Sequence, residues 1–140
     1  MDEYINTNFG KLKKFRRSYV GNIDIHGIQT HLNVEPEFFK SKLSLDDIIP
    51  NIESNYYHLR ELAFSEVIDE INEEWAPNLF SFFTKKKSKY SIDRLRNESK
   101  LDSIFICEDY LTISLKFTEF IIISTKLDVT GNYMYSQIRT

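Results

Sequence analysis

The runs LDSIFICEDY (residues 101–110), LTISLKF (111–117) and EFIIISTKLDVTGNYMYSQI (119–138) decide the fold class of this chain. They are apolar and rich in β-branched residues, and turn-forming residues separate them, which is typical of antiparallel strands. The sequence therefore predicts a C-terminal β-meander. The meander carries no catalytic motif, and a plain antiparallel sheet more often presents a surface than catalyses a reaction.

A second group of strands is predicted before residue 36. Apolar and polar residues alternate there with the period of half-buried strands, at Ile23, Ile25, Ile28, Thr30, Leu32 and Val34. His26-Gly27 interrupts the alternation as a short turn, so we expect a hairpin of Tyr19–Ile25 with Ile28–Glu35. A further strand, Lys11–Phe15, precedes the hairpin, and the polar residues 1–8 are predicted to form a flexible arm.

The middle of the chain is predicted to be one long amphipathic helix. Ser44 followed by Asp47 resembles a capping box, and Pro50 is expected near the first turn or at a helix break. Apolar residues then recur at steps of three and four, at Ile52, Tyr56, Leu59, Ala63, Val67, Ile71 and Trp75. The opposite side of this helix is strongly acidic. A second, short helix is expected at Ser91–Leu95.

These elements predict one α+β domain over residues 1–140. We expect an antiparallel sheet of about six strands, built from the N-terminal hairpin and the C-terminal meander, with the long helix packed on one face. A chain of 140 residues with 11 Phe and 8 Tyr has enough apolar material for one core.

The composition argues against several classes of protein. The formal net charge is −3, whereas general nucleic-acid binders are usually basic. The single cysteine, Cys107, excludes an intramolecular disulfide and a cysteine-rich zinc site, and its apolar surroundings predict a buried core residue. The N-terminus lacks the apolar core of a signal peptide, and no stretch approaches the roughly 20 apolar residues of a membrane span. We therefore expect a cytoplasmic protein without a cofactor that binds neither nucleic acid nor membrane.

Candidate catalytic and metal-binding groups are few. His26, His31 and His58 show none of the local spacings typical of metal sites, so no metal ligand is assigned. Paired carboxylates along the helix could serve acid–base chemistry or bind a hard cation, although a solvated helix face is the commoner explanation. The basic run Lys85–Lys89 is interpreted as a solvated loop, with a phosphate contact as the alternative.

The order of the motifs resembles a known kind of protein. The residues that carry the likeness are Phe9, Gly10, Tyr19, Gly21, Ile23, Gly27, Leu95, Leu101, Ser103, Ile104, Ile106, Ile121, Ile123, Asp128 and Gly131. In this layout the chain resembles small bacterial domains of unknown function that recur in polymorphic toxin loci and are inferred to be immunity proteins. Many of those domains carry a Gly-His pair before the penultimate strand, where this chain has Thr118-Glu119, so any role of that histidine is absent here.

The resemblance implies a non-enzymatic domain that binds another protein and neutralises a cognate toxin by occluding its active site. A basic toxin surface would suit the acidic side of the helix. The predicted contact residues are Glu66, Asp69, Glu70, Glu73, Glu74 and Trp75. Trp75 would serve as an aromatic anchor, although packing at the helix end is the commoner explanation of its position.

Two alternatives from other classes stay open at this stage. One is a small metal-dependent hydrolase that combines the clustered carboxylates with His31 or His58. The other is a structural or oligomerisation module whose exposed sheet edge pairs with a second copy of the chain.

Overall fold

The computed structural model describes residues 3–74 and 90–139, with Glu74 described by its backbone alone. Eight strands in these ranges form one sheet, and they follow one another in chain order. They are β1 (Tyr4–Thr7), β2 (Gly10–Phe15), β3 (Ser18–Ile25), β4 (Ile28–Val34), β5 (Lys100–Ile106), β6 (Tyr110–Lys116), β7 (Ile122–Asp128) and β8 (Tyr133–Arg139). Neighbouring strands are antiparallel except β4 and β5, which are parallel and are therefore joined by a long crossover.

The α+β class, the largely antiparallel sheet and the long helix are confirmed, whereas the predicted count of about six strands is wrong. Tyr4–Thr7 lie within the arm predicted over residues 1–8, yet they form β1 and pair with β2 along their whole length. Ile5 packs against the core from this strand. Because its neighbours in the sequence are polar, no apolar alternation indicates a strand there. The last C-terminal run contains two strands, because Gly131 (φ 90°) allows a turn between β7 and β8.

The predicted hairpin around His26-Gly27 is confirmed. Ile25 pairs directly with Ile28, and both turn residues have positive φ, 51° at His26 and 81° at Gly27. Such a two-residue turn matches the right-handed twist of its strands. The Gly27 N–H donates to Asp24 Oδ1 at 2.8 Å, so the turn is also fixed from within the hairpin.

Helix α1 spans Leu45–Glu74. Ser44 caps it, since its Oγ accepts from the Asp46 N–H at 3.2 Å. Pro50 lies inside the helix without ending it; Ile49 and Ile52 on either side are both 1% exposed, and their burial holds this turn in place. The six described residues of the predicted stripe, Ile52, Tyr56, Leu59, Ala63, Val67 and Ile71, are all buried. Trp75, the last residue of the predicted stripe, lies outside the described residues.

Turns from both halves of the sheet contact the first part of α1. The Asn8 N–H, in the β1–β2 turn, donates to Asp46 Oδ1 at 3.1 Å. Asn51 Nδ2 donates to the Thr130 carbonyl, in the β7–β8 turn, at 2.9 Å. The sheet therefore wraps around α1, and the hydrophobic core lies between them. The other face of the sheet points away from the helix.

Two short helices flank α1 in the described part of the crossover. A 3₁₀ helix, Pro36–Lys40, follows β4, and α2, Ile92–Glu98, precedes β5. The predicted short helix at Ser91–Leu95 is thus confirmed, with Ser91 as its N-cap through a 3.1 Å bond from the Arg94 N–H. Among the helices in the described part of the chain, none is both long and apolar enough to cross a membrane.

Candidate functional site: the open face of the sheet

Charge separates the two sides of this molecule. The 30 residues of α1 include nine carboxylates and one arginine, whereas the eight strands include seven lysine or arginine residues and three aspartates. The net charge of −3 hides this separation. Two surfaces are therefore candidates for binding: the polar side of α1, and the sheet face that points away from α1, which we call the open face.

Glu66, one of the predicted partner contacts, is bound to β8. Its Oε2 accepts hydrogen bonds from the Ser136 backbone N–H at 3.0 Å and from the Tyr133 hydroxyl. Burial first, and then the hydrogen bond to Glu66, raise the pKa of Tyr133 to about 12. The Ser136 hydroxyl lies 2.8 Å from both the Tyr133 hydroxyl and Thr125 Oγ1. Because β8 is an edge strand, Glu66 satisfies an edge N–H and joins the helix to the sheet.

The remaining predicted contacts are only partly described. Asp69, Glu70 and Glu73 are exposed on α1. The side chain of Glu74 and all of Trp75 lie outside the described residues, as does the basic run Lys85–Lys89. The acidic side of α1 therefore presents at least three carboxylates to solvent, and its role in binding stays a prediction.

A row of small polar residues crosses four strands on the open face. Ser103 of β5 pairs with Ser114 of β6, which pairs with Ser124 of β7, which pairs with Gln137 of β8. Three strand spacings of roughly 4.8 Å make this row about 14 Å long. His31 of β4 pairs with Ser103 and continues the row toward the N-terminal strands.

Side chains that are longer than serine, apart from Thr112, border this row on both sides. The register places one border two residues along each strand, at Phe105, Thr112, Lys126 and Tyr135. The other border is Lys100, Lys116, Ile122 and Arg139. At about 3.3 Å per residue the two borders are roughly 13 Å apart. The serines therefore form the floor of a groove, which we call the sheet trough, and the borders form its walls.

The sheet trough is an open concavity of about 470 Å³. Besides the floor, its lining includes Phe105, Tyr110, Thr112, Lys126, Tyr135 and Arg139, whereas Lys100, Lys116 and Ile122 lie beyond this lining. Lys126 Nζ lies 4.4 Å from the ring centroid of Tyr110 and 5.7 Å from that of Tyr135, so this ammonium group is held between two aromatic rings. Aromatic and arginine side chains around a depression are the residue types that most often dominate protein interfaces.

The cations of the sheet trough are not neutralised within the described chain. Among residues 3–74 and 90–139, none forms an ion pair with Lys100, Lys116, Lys126 or Arg139. Asp128 is engaged by its own turn, where Thr130 Oγ1 donates to it at 2.6 Å, and the hydrogen bonds from Thr130 and Asn132 lower its pKa. The trough thus presents positive charge to solvent.

The groups proposed for a metal-dependent reaction are dispersed. His31 lies on the open face, while His58 lies on α1 on the other side of the sheet, and both are exposed. His26 sits in its turn with Nε2 2.6 Å from the Glu53 carbonyl. In the part of the chain that the structure describes, no group of three His, Cys, Asp or Glu is placed to hold a metal ion.

Cys107 occupies the buried position predicted for it. Its side chain is 4% exposed, and burial raises the pKa of the thiol to about 11. The thiolate is the nucleophilic form of cysteine, and the raised pKa keeps this thiol protonated at neutral pH.

Sequence reasoning missed the sheet trough. β5 and β7 each show one serine at an outward position, β6 shows Thr112 and Ser114, and β8 shows Gln137, which is unremarkable for each strand by itself. The trough exists because the register aligns these positions across four strands, including a bulge in β5 between Leu101 and Ser103. The nearest sequence signal was the excess of basic residues in the strands over those in α1.

Comparisons with protein-family models, with curated proteins and with solved structures found no match for this chain.

Proposed function

We propose that this chain is a non-enzymatic cytoplasmic protein-binding domain of the immunity type, which neutralises a cognate toxin by occluding its active site. We propose further that the partner docks on the open face and inserts into the sheet trough. The observation that carries this proposal is the trough itself, a serine floor between two walls. The border of Phe105, Thr112, Lys126 and Tyr135 is the aromatic wall, and the border of Lys100, Lys116, Ile122 and Arg139 is the cationic wall. The resemblance in motif order supplies the class of partner.

A solvated outer face is common in antiparallel sheets, so exposure alone does not favour binding. The shape and the charge of the sheet trough do favour binding. Small side chains in the middle of a sheet forgo the packing that β-branched or aromatic residues would give, and here they are aligned into one groove. Lys100 and Lys116 also face each other directly across β5 and β6, an arrangement that costs stability.

The trough alone is too small to be a complete interface. Its floor and walls span about 14 by 13 Å, or roughly 180 Å², whereas a standard interface buries about 800 Å² per partner. The remaining open face, including His31 and Asn33 of β4, adjoins the floor and the aromatic wall and would supply the additional contact.

A growth assay tests the proposal. Each reading frame beside the gene is expressed in a bacterial host, with and without this protein. We expect one neighbour to arrest growth and this protein to relieve the arrest. Ser114→Trp, which fills the trough floor, should abolish the relief, whereas Ser65→Trp, the same substitution at an exposed position of α1, should leave it intact.

The outcomes separate the function from the site. If no neighbour is toxic, or wild-type protein relieves nothing, the immunity function is wrong. If wild type and Ser114→Trp protect equally while both variants fold as judged by circular dichroism, the trough is the wrong site. Loss of protection in Glu70→Lys/Glu73→Lys alone would assign binding to the acidic side of α1 instead.

A further inference from the structure

The cationic wall of the sheet trough places like charges side by side. Lys100 pairs directly with Lys116, and Lys116 pairs with Ile122, which pairs with Arg139. Like charges directly opposite each other destabilise a sheet, and no ion pair from the described residues offsets this cost. Asp102, at the β5 bulge, is the one carboxylate of β5–β8 that adjoins this wall.

The opposite wall adds a fourth cation with a fixed position. The rings of Tyr110 and Tyr135 flank the Lys126 ammonium group, which restricts where it can point and removes part of its hydration. A carboxylate that reached it would form a charge-assisted hydrogen bond in surroundings less polar than bulk water. Cations therefore line both sides of a hydroxyl-rich floor.

We propose that the sheet trough binds an acidic polypeptide segment of the partner, with its carboxylates pairing to Lys116, Arg139 and Lys126. This inference rests on the proposed function and specifies the chemistry of its partner. The roughly 13 Å between the borders separates their backbones, so with the wall side chains in place the groove admits a single extended strand. The serine hydroxyls and the Gln137 amide of the floor can donate and accept hydrogen bonds to such a segment.

The same features disfavour a nucleic acid as the occupant. Single-stranded nucleic acids bind by stacking their bases on open aromatic faces, but Lys126 lies over the ring faces of Tyr110 and Tyr135. The nine carboxylates of α1 and the net charge of −3 also repel a long polyanion. A short acidic segment can enter the trough without approaching α1.

A phage-displayed library of random 16-residue peptides provides the probe. Purified full-length protein is panned against it, and enriched peptides are synthesised and titrated by fluorescence anisotropy at 50 and 500 mM NaCl. We expect an enriched motif dominated by Asp and Glu, with weaker binding at high salt. Lys116→Glu/Arg139→Glu should weaken binding at least tenfold, while Lys40→Glu/Lys42→Glu, the same charge change at exposed sites near α1, should change it less than twofold.

Each of the other outcomes contradicts a specific part of the proposal. Neutral or basic peptides whose binding is lost in Ser114→Trp would refute the acidic partner and keep the trough. Peptides that bind Ser114→Trp normally, or no enriched peptide at all, would refute the trough as a peptide site. If a 20-nucleotide oligo-uridine binds more tightly than any peptide, and Lys116→Glu/Arg139→Glu abolishes that binding, the occupant of the trough is nucleic acid and not a peptide. The growth assay judges the immunity function independently of all three.

Discussion

The polar side of α1 and the open face of β5–β8 carry opposite charge, and they differ in how the fold uses that charge. On α1, Glu53 accepts a hydrogen bond from the His26 N–H at 3.1 Å, Glu66 binds β8, and Glu61 pairs with Arg96 of α2. On the open face, Lys100, Lys116, Lys126 and Arg139 form no ion pair with the described residues. A count of charges would rank α1 first as a binding surface, whereas the contacts show that several of its carboxylates serve the fold.

Removal of a carboxylate from α1 is the strongest test of this contrast. Glu66→Ala leaves the Ser136 N–H without an acceptor, and Ser136 is only 8% exposed, so we expect a loss of about 1–3 kcal/mol in the free energy of unfolding. Urea denaturation measures it. Glu70→Ala, on the same helix and exposed, should change stability by no more than about 0.5 kcal/mol. Equal effects of the two substitutions would contradict a structural role for Glu66.

The link between Glu66 and Tyr133 also predicts a pH dependence. Burial and the hydrogen bond to Glu66 raise the pKa of Tyr133 from its usual value of about 10 to about 12 in the folded state, so folding favours the protonated phenol. Its contribution to stability is complete below pH 10 and is lost as the pH rises from about 10 to about 12. Absorbance at 295 nm, recorded as the difference between wild type and Tyr133→Phe, isolates this titration.

A second variant identifies the cause of that shift. Glu66→Gln keeps an acceptor but removes the negative charge, so the pKa of Tyr133 should fall. The fall should be partial, because burial is the larger cause and the hydrogen bond to Glu66 the smaller one. An unchanged titration in Glu66→Gln would mean that the carboxylate does not influence the phenol.

The two surfaces also differ in how far the sequence reveals them. The stripe from Ile52 to Ile71 and the hairpin turn at His26-Gly27 follow from local periodicity and turn chemistry, and both are present. β1 escaped prediction because its stability comes from pairing with β2 and from one apolar contact, neither of which is local. The trough was invisible for a stronger reason: no short segment contains it, since its rows arise only from the register of four strands.

Removal of a cation from the trough should have the opposite sign to removal of Glu66, and a smaller size. Lys116→Thr eliminates the like-charge pair with Lys100 and places a β-branched residue on a strand, so it should stabilise the fold by about 0.2–1 kcal/mol. The same change should weaken binding of the acidic peptide, because one of its proposed partners is gone. Lys40→Thr, at an exposed position outside the sheet, should alter neither quantity appreciably. If Lys116→Thr raises the stability of the fold and also lowers the affinity for the peptide, Lys116 is retained for binding. If Lys116→Thr destabilises the fold, Lys116 instead supports the sheet.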